Sequence, residues 1–316
     1  MLIDSARGKC DSLAVILYWE QNEQPSGKQR AHWLRELYPD IHVFDLENNF
    51  DLQVEFLPRN FPVPDVIFTL YSRNIKPFRK FVRTNYELID TTQFNPMVSG
   101  RSIRKNPYQH LNFLNPIVSS YYSKVVCIIG AESTGKTILS QRLSSYFHGS
   151  RAIPEFAREL CNKLIEKRRK LEIGKDFKVP KWIEEDFVEI AQEQTYQIDQ
   201  ACLHSPLVIS DTNVDCTKIW QERYLGKVSD TVQDIANHAR KVDLYLFCES
   251  SDVPFVQDGT RDGQAAMRAW MNQRFLETFE NKSNVVILKG DYENRYLDAI
   301  KAVKTQFPDL MQYFGM

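Results

Sequence analysis

The sequence predicts an α/β protein whose larger, C-terminal domain is built on a five-stranded parallel sheet. Short apolar runs alternate along the chain with stretches of helical periodicity, which is typical of strands joined by helices. One run, Val125 to Ile129, leads directly into a glycine-rich turn and a helix, and another, Leu207 to Asp211, ends in a carboxylate. A length of 316 residues favours two domains.

The first half of the chain is predicted to form a small α/β domain. Its predicted elements are strands at residues 13–18, 41–46 and 66–70, a helix at 28–37 and a further apolar stretch at 78–82. Residues 114–123, which include Asn115-Pro116, have the composition of a junction. We therefore divide the chain into domains at 1–117 and 123–316.

The second half repeats a strand and helix rhythm. Its predicted strands are 125–129, 151–154, 207–211, 244–248 and 285–288, and its predicted helices begin at Lys136, Glu155 and Trp182. These apolar runs lack alternation, so both faces of the sheet are expected to be covered by helices.

Composition and charge exclude several classes of function. Apolar residues make up 43 % of the chain and charged residues 26 %, as in globular proteins. Lys and Arg number 40 against 41 Asp and Glu, so nothing indicates a nucleic-acid or anionic-membrane surface. The six cysteines show no CxxC spacing, and no run is long enough to span a bilayer. We expect a cytoplasmic protein with reduced cysteines. The sequence leaves open whether the protein forms a homo-oligomer.

Residues 130–137 have the spacing of a phosphate-binding loop. Gly130 and Gly135 bracket four residues, and Lys136 and Thr137 follow at once, where a helix with apolar Ile138 opens. Such a loop turns backbone N–H groups toward phosphate oxygens, while its lysine reaches the β- and γ-phosphates and its hydroxyl ligates Mg²⁺. The candidate nucleotide-binding residues are Gly130, Glu132, Ser133, Thr134, Gly135, Lys136 and Thr137.

Asp211 ends a buried strand, at the sheet edge where α/β proteins bind ligands. A carboxylate there can hold Mg²⁺ directly or through water, together with Thr137. Alternatively, Asp211 could cap the helix that follows Asn213. Thr212 comes next rather than a glutamate that would activate water, which favours transfer to a hydroxyl over hydrolysis.

Glu155 follows the second strand of this half and is the candidate general base for an attacking hydroxyl. Alternatively, it is a first-turn glutamate favoured by the helix dipole. Arg158, one turn later, could pair with Glu155 or contact a phosphate.

A glycine-hinged polar loop at residues 258–263 carries Arg261, and Arg268 follows it. Phosphoryl transfer uses mobile arginines to neutralise developing charge, so we expect Arg261 to close the site. Either arginine could instead be structural. Five aromatics are expected to lie mostly in the core, with one or two able to stack on a substrate ring: Trp182, Phe187, Tyr196, Trp220 and Tyr224.

Together these stretches resemble the bifunctional NMN adenylyltransferase/ribosylnicotinamide kinase family (NadR type). The segments that carry the resemblance in the second half are 130–137, 154–160, 186–194, 210–213, 220–226 and 258–261. The resemblance implies a P-loop kinase fold that uses ATP and Mg²⁺ to phosphorylate the 5′-hydroxyl of nicotinamide riboside, giving NMN. From the residues themselves, we expect Lys136, Glu155, Asp211 and Arg261 to be the catalytic residues.

The first half is similar to the later part of the family's Rossmann-like nucleotidyltransferase domain, at residues 26–34 and 98–107. Arg101 stands where the family usually has Thr, and the opening Gly-x-Phe-x-Pro-x-His-x-Gly-His signature is absent. We therefore expect a degenerate, truncated domain without adenylyl transfer. Pro154 stands where some members place an aromatic residue, so the sequence does not decide which nucleoside base the acceptor carries. The alternatives are a kinase for another nucleoside and a regulatory protein that binds ATP and senses pyridine nucleotides.

Overall fold

The computed structural model describes residues 2–47, 64–69, 85–88, 98–171, 181–251, 253–254 and 265–316. The chain divides into two compact units, Met1–Phe113 and Leu114–Met316. Within the described ranges, no helix has the length and apolar character needed to cross a membrane.

The first unit contains two pairs of parallel strands. Its elements are α1 (Leu2–Arg7), β1 (Ala14–Trp19), α2 (Gly27–Leu37), β2 (His42–Glu47), β3 (Val66–Thr69), β4 (Asn85–Leu88) and α3 (Gly100–Lys105), followed by a 3₁₀ turn at Tyr108–Phe113. Strand β1 pairs with β2, and β3 pairs with β4. Ala31 on α2 packs against Ile41 and Val43 to form a small apolar core.

The second unit contains the predicted sheet of five parallel strands, which is confirmed. Its strands are β5 (Lys124–Ile129), β6 (Arg151–Ile153), β7 (Leu207–Asp211), β8 (Leu244–Cys248) and β9 (Val285–Leu288). Their order across the sheet is β6-β7-β5-β8-β9, so β5 is central. Its residues from Val125 onward are all buried, because helices cover both faces as they do in doubly wound sheets.

Helices join these strands and cover the sheet. They are α4 (Pro116–Ser120), α5 (Lys136–Tyr146), α6 (Phe156–Leu171), α7 (Glu184–Cys202), α8 (Val214–Leu225), α9 (Asp230–His238), α10 (Ala265–Phe279), α11 (Tyr292–Gln306) and α12 (Pro308–Met311). One apolar core includes Cys127, Val208 and Phe275, and another joins Phe187 to Val214. The described strands therefore bring the carboxyl ends of β5, β6, β7 and β8 to one edge.

Two segments form helices that the sequence did not predict, and one predicted segment lies outside the described residues. Residues 114–123, predicted as a junction, include helix α4, whose first turn is capped by the Asn115 side chain. Residues 100–105, for which no helix was predicted, form α3, capped by Ser99. The apolar stretch at 78–82 lies outside the described residues.

Candidate active site

The phosphate loop joins β5 to α5, and two of its positions require glycine. Gly130 has φ of +138°, and a Cβ there would lie 2.5 Å from the Cys248 carbonyl oxygen. Gly135 has φ of +84°, and a Cβ there would lie 2.3 Å from the Tyr292 ring. The left-handed backbone and these close approaches explain the glycine spacing in the sequence.

Lys136 opens helix α5 and is 8 % exposed. Its Nζ donates a hydrogen bond to the Ala131 carbonyl at 2.9 Å, and the Thr134 hydroxyl donates to the same oxygen at 2.9 Å. Lys136 is therefore buried, because the loop curls around the ammonium group. That group is held by a neutral carbonyl inside the curl, so its charge is not cancelled by this contact. Ile138, the next apolar residue, is 55 % exposed.

Thr137 and Asp211 meet at the carboxyl edge of the sheet. The Thr137 hydroxyl donates to Asp211 Oδ2 at 2.5 Å, and Asp211 is fully buried. Strand register pairs Asp211 with Ile128, near the end of β5, which brings the carboxylate to the loop. A carboxylate beside a hydroxyl is an oxygen donor set that suits Mg²⁺, with phosphate oxygens and water completing the coordination.

Asp211 does not cap the helix that follows it. The side chain of Asn213 occupies the N-cap position of α8 and accepts a hydrogen bond from the Cys216 N–H. Thr212 between them has φ of +72°, an uncommon conformation for a β-branched residue. Its N–H still donates to the Ile128 carbonyl, so the chain leaves the sheet in a sharp turn directly after the carboxylate.

Glu155 lies between β6 and α6, one residue before the helix begins. Gln194 of α7 brackets this position: its side-chain oxygen accepts from the Phe156 N–H at 2.9 Å, and its amide donates to the Pro154 carbonyl at 3.2 Å. The same amide donates to Ser210 Oγ at 3.1 Å. Gln194 is 1 % exposed, so this one side chain ties the Glu155 segment to the strand that ends in Asp211.

A pocket opens beside the phosphate loop, and both Lys136 and Glu155 line it. Four of the five predicted aromatics form its wall: Trp182, Phe187, Trp220 and Tyr224. Phe187 also belongs to an apolar core, and Trp182, Trp220 and Tyr224 pack against it, so these four are core residues that line the pocket as well. Tyr196, by contrast, is 57 % exposed. Arg158 and Thr212 also line the pocket, so cationic, acidic and aromatic groups share one cavity.

Arg268 of α10 contacts the backbone of the phosphate loop. Its guanidinium donates to the carbonyls of Glu132 at 3.2 Å and Ser133 at 3.4 Å. It also donates to the Val253 carbonyl at 2.8 Å. These contacts favour the structural interpretation of Arg268, and Arg261 lies outside the described residues.

Residues 125–295 match the AAA domain family AAA_28. This match spans more than half of the chain and includes the phosphate loop, Asp211 and Arg268. The chain belongs to this AAA domain family.

Beyond the AAA domain, the predicted NadR-type resemblance is confirmed. The trifunctional NAD biosynthesis/regulator protein NadR of Escherichia coli K12 is 24 % identical over 334 aligned positions, which cover 96 % of this chain and 78 % of that protein. The Salmonella typhimurium LT2 protein of the same name is also 24 % identical, with the same coverage.

Solved structures show the same fold. A NadR protein in complex with NR superposes with a TM-score of 0.68 at 20 % identity, covering 96 % of this chain and 90 % of that one. A NadR protein in complex with NAD and AMP-PNP gives a TM-score of 0.67 at the same identity and coverage.

Two further side chains of the AAA domain support the phosphate loop, and sequence reasoning missed both. Arg295, at 2 % exposure, donates to the carbonyls of Glu249 at 2.6 Å, Gly290 at 2.8 Å and Thr134 at 3.4 Å. Arg223 pairs with the Glu132 side chain. Arg295 lies in no predicted motif, and the segment 220–226 contains Arg223 without indicating its partner.

Glu249, at the end of β8, is a buried carboxylate beside this support. Burial raises the pKa of its carboxyl, but hydrogen bonds from the Ser251 hydroxyl and N–H and the Asn272 amide outweigh burial and lower it below its ordinary value. Glu249 therefore stays ionised at neutral pH and fixes the turn whose backbone carbonyl anchors Arg295.

Proposed function

We propose that the second unit phosphorylates the 5′-hydroxyl of nicotinamide riboside with ATP and Mg²⁺, giving NMN, in the cytoplasm. The observation that carries this proposal is the pocket in which the phosphate-loop lysine and a strand-end carboxylate face the same aromatic wall. A phosphate loop alone is common to many nucleotide-binding proteins. A second, aromatic compartment beside it favours transfer to a ring-bearing acceptor.

The phosphate loop and Lys136 would hold the phosphates of ATP. Backbone N–H groups and the N-terminus of α5 provide directed positive charge, and Lys136 adds a full charge beside the transferred group. Thr137 and Asp211 would hold the metal. When bound, Mg²⁺ supplies charge neutralisation on the phosphate oxygens.

Glu155 would act as the general base. Its carboxylate accepts the proton of the 5′-hydroxyl as that oxygen bonds to the γ-phosphorus, and the bond from the γ-phosphorus to the bridging oxygen breaks to release ADP. Gln194 holds both peptide units that flank Glu155, which fixes the base relative to the end of β7. Arg261 remains our candidate for closing the site.

The aromatic wall would bind the nucleoside base. Trp220 and Tyr224 stack on each other at 6.3 Å between centroids, and aromatic faces attract a cationic pyridinium ring. The indole N–H groups of Trp182 and Trp220 are buried and have no hydrogen-bond partner among the described residues. They could donate to the carboxamide oxygen of nicotinamide. The complex of a NadR protein with NR supports this choice of acceptor.

ADP release from ATP and Mg²⁺ should be measured against a panel of ribosides that includes nicotinamide riboside, adenosine, uridine and thymidine. We expect nicotinamide riboside to give the highest kcat/KM. Preference for another riboside would reassign the substrate. Nucleotide binding without turnover on any riboside would favour the alternative, a regulatory ATP-binding protein that senses pyridine nucleotides.

We also propose that this chain does not convert NMN and ATP to NAD. In the first unit Arg104 pairs with Glu23 at 3.0 Å, so its charge is compensated by a carboxylate. Incubation with NMN, ATP and Mg²⁺ should yield neither NAD nor pyrophosphate. Stoichiometric NAD would overturn this proposal and direct attention to Arg101.

A further inference from the structure

Arg223 of α8 lies where the phosphate loop meets the aromatic wall. Its side chain is 3 % exposed and forms an ion pair with Glu132 of the loop, which is 13 % exposed. Both charges have left water, so each depends on the other for compensation. Movement of Glu132 is therefore tied to Arg223, although the two are 91 residues apart in the sequence.

The same guanidinium packs against two rings of the pocket. Its central carbon lies 5.1 Å from the Trp220 ring centroid and 4.8 Å from that of Tyr224. Both distances are within the range of cation–π attraction, which is stronger where water is excluded. One side chain thus contacts the loop expected to hold ATP and the wall expected to hold the acceptor.

Arg268 supports the loop from another element. It donates to the Glu132 and Ser133 carbonyls from α10. The backbone at Glu132 is therefore held by Arg268, while its side chain is held by Arg223. A shift of Glu132 that followed Arg223 would turn the neighbouring loop N–H groups, whose direction decides phosphate affinity.

We propose that Arg223 is a positioning residue that makes acceptor binding and nucleotide binding interdependent. This inference rests on the proposed function for the identity of the acceptor. An acceptor ring packed against Trp220 and Tyr224 restrains the rings on which Arg223 stacks, and Arg223 restrains Glu132. Thermodynamic linkage makes the effect reciprocal, so nucleotide in the loop should tighten acceptor binding by the same factor.

A purely structural ion pair would behave differently. Its removal would lower the stability of the fold and leave the two affinities independent. The test is therefore the ratio between AMP-PNP dissociation constants measured by calorimetry without and with saturating nicotinamide riboside. The reciprocal titration, riboside with and without AMP-PNP, should give the same ratio.

We expect a ratio of about 5 to 150 in the unmodified chain, the usual range of coupling between sites. Arg223→Gln and Glu132→Gln should each lower it to about 1, and the double variant should be no lower than either single one. Arg223→Lys should retain part of it, because lysine keeps the charge without the planar stacking surface.

Arg274→Gln provides the matched control. Arg274 pairs at 2.8 Å with Glu222, the residue before Arg223 on the same helix, and belongs to neither the loop nor the pocket wall. This variant should keep the coupling of the unmodified chain. Thermal melting of every variant checks that the fold is retained.

A second measurement uses no riboside. AMP-PNP alone should change the tryptophan emission of the unmodified chain. The component of this emission change that is lost in Trp220→Phe is the contribution of Trp220. The same component should also be lost in Arg223→Gln. If no riboside binds, the proposed acceptor is wrong. The fluorescence result alone then decides whether Arg223 links the phosphate loop to Trp220. A coupling ratio of 1 in the unmodified chain, or Arg223→Gln with full coupling or an unchanged Trp220 signal, would overturn the inference.

Discussion

Two basic sites, one in each unit, are compensated in different ways. In the second unit the Lys136 ammonium group donates to a neutral backbone carbonyl at 2.9 Å and lines an open pocket. In the first unit Arg30 and Arg104 both pair with the carboxylate of Glu23. A carbonyl leaves the positive charge available to a phosphate, whereas a carboxylate cancels it. The comparison supports the proposal that Lys136 binds a phosphate.

Replacing Lys136 with alanine should have the largest effect. The variant loses the charge aimed at the transferred group, and kcat should fall by roughly 10²-fold or more. Initial rates of ADP formation measure this loss. Lys124→Ala is the control, because Lys124 sits at the opposite end of β5 and pairs with Asp243 at 3.1 Å. Turnover of Lys136→Ala close to that of Lys124→Ala would end the assignment of this loop.

Asp211→Asn and Glu155→Gln should both lower kcat, but only one should respond to metal. Asp211→Asn weakens the proposed Mg²⁺ site, so raising Mg²⁺ should restore part of its rate. Glu155→Gln removes the proton acceptor, which is typically worth about 10²–10⁴-fold, and metal should not restore it. Magnesium titrations of both variants distinguish the roles. Rescue of Glu155→Gln alone would exchange them.

Gln194→Leu should reduce both activity and stability. It leaves the Phe156 N–H and the Pro154 carbonyl without their buried partner, which typically costs about 1–3 kcal/mol. The displaced Glu155 should lower kcat by about 10- to 100-fold, with little change in the KM for ATP. Gln197→Leu is the control, since Gln197 on the same helix bonds only Glu193 among the contacts that are described. An unchanged kcat in Gln194→Leu would show that Glu155 needs no such support.

Much of the second unit could be predicted because its signals are local. An apolar run, a glycine spacing and a strand-end carboxylate can each be recognised from residues that are adjacent in the sequence. Strands 207–211, 244–248 and 285–288 accordingly have their predicted bounds. The burial of Lys136 depends on how the loop curls and could not be inferred from spacing.

The supports of the site are long-range and gave no such signal. Arg223, Arg295 and Gln194 each reach backbone or side chains far away in the sequence. The roles of the aromatic residues could not be predicted either. Helical spacing places them on one face of a helix but does not show whether that face meets a core or a cavity. Trp182 and Trp220 meet both, since they line the pocket and pack against the core that contains Phe187.

The smallest effect should come from the first unit. Burial raises the pKa of Glu23, but the hydrogen bond and charge of Arg30 and the charge of Arg104 outweigh it, so the pKa lies below its ordinary value. The pairs therefore stabilise the fold above the unfolded pKa, and this contribution is lost as pH falls through the folded pKa. Glu23→Gln should lower the free energy of unfolding at pH 7 by less than about 1 kcal/mol, because the groups are partly exposed.

Urea unfolding of Glu23→Gln and the unmodified chain at several pH values tests this. The difference between them should shrink as the pH falls below the ordinary range of glutamate. Kinase turnover should be the same in both chains at neutral pH. A difference that grew on acidification would contradict the sign of the shift.

In the proposed reaction the second unit transfers the γ-phosphoryl group of ATP directly to the riboside. ATP carrying heavy oxygen in its γ-phosphoryl group should be incubated with Mg²⁺, nicotinamide riboside and the full chain, and the products weighed by mass spectrometry. We predict NMN that carries the label, formed in equal amount to ADP and lost in Lys136→Ala. Label found only in inorganic phosphate, with no labelled NMN, would show that water and not the riboside accepts the phosphoryl group.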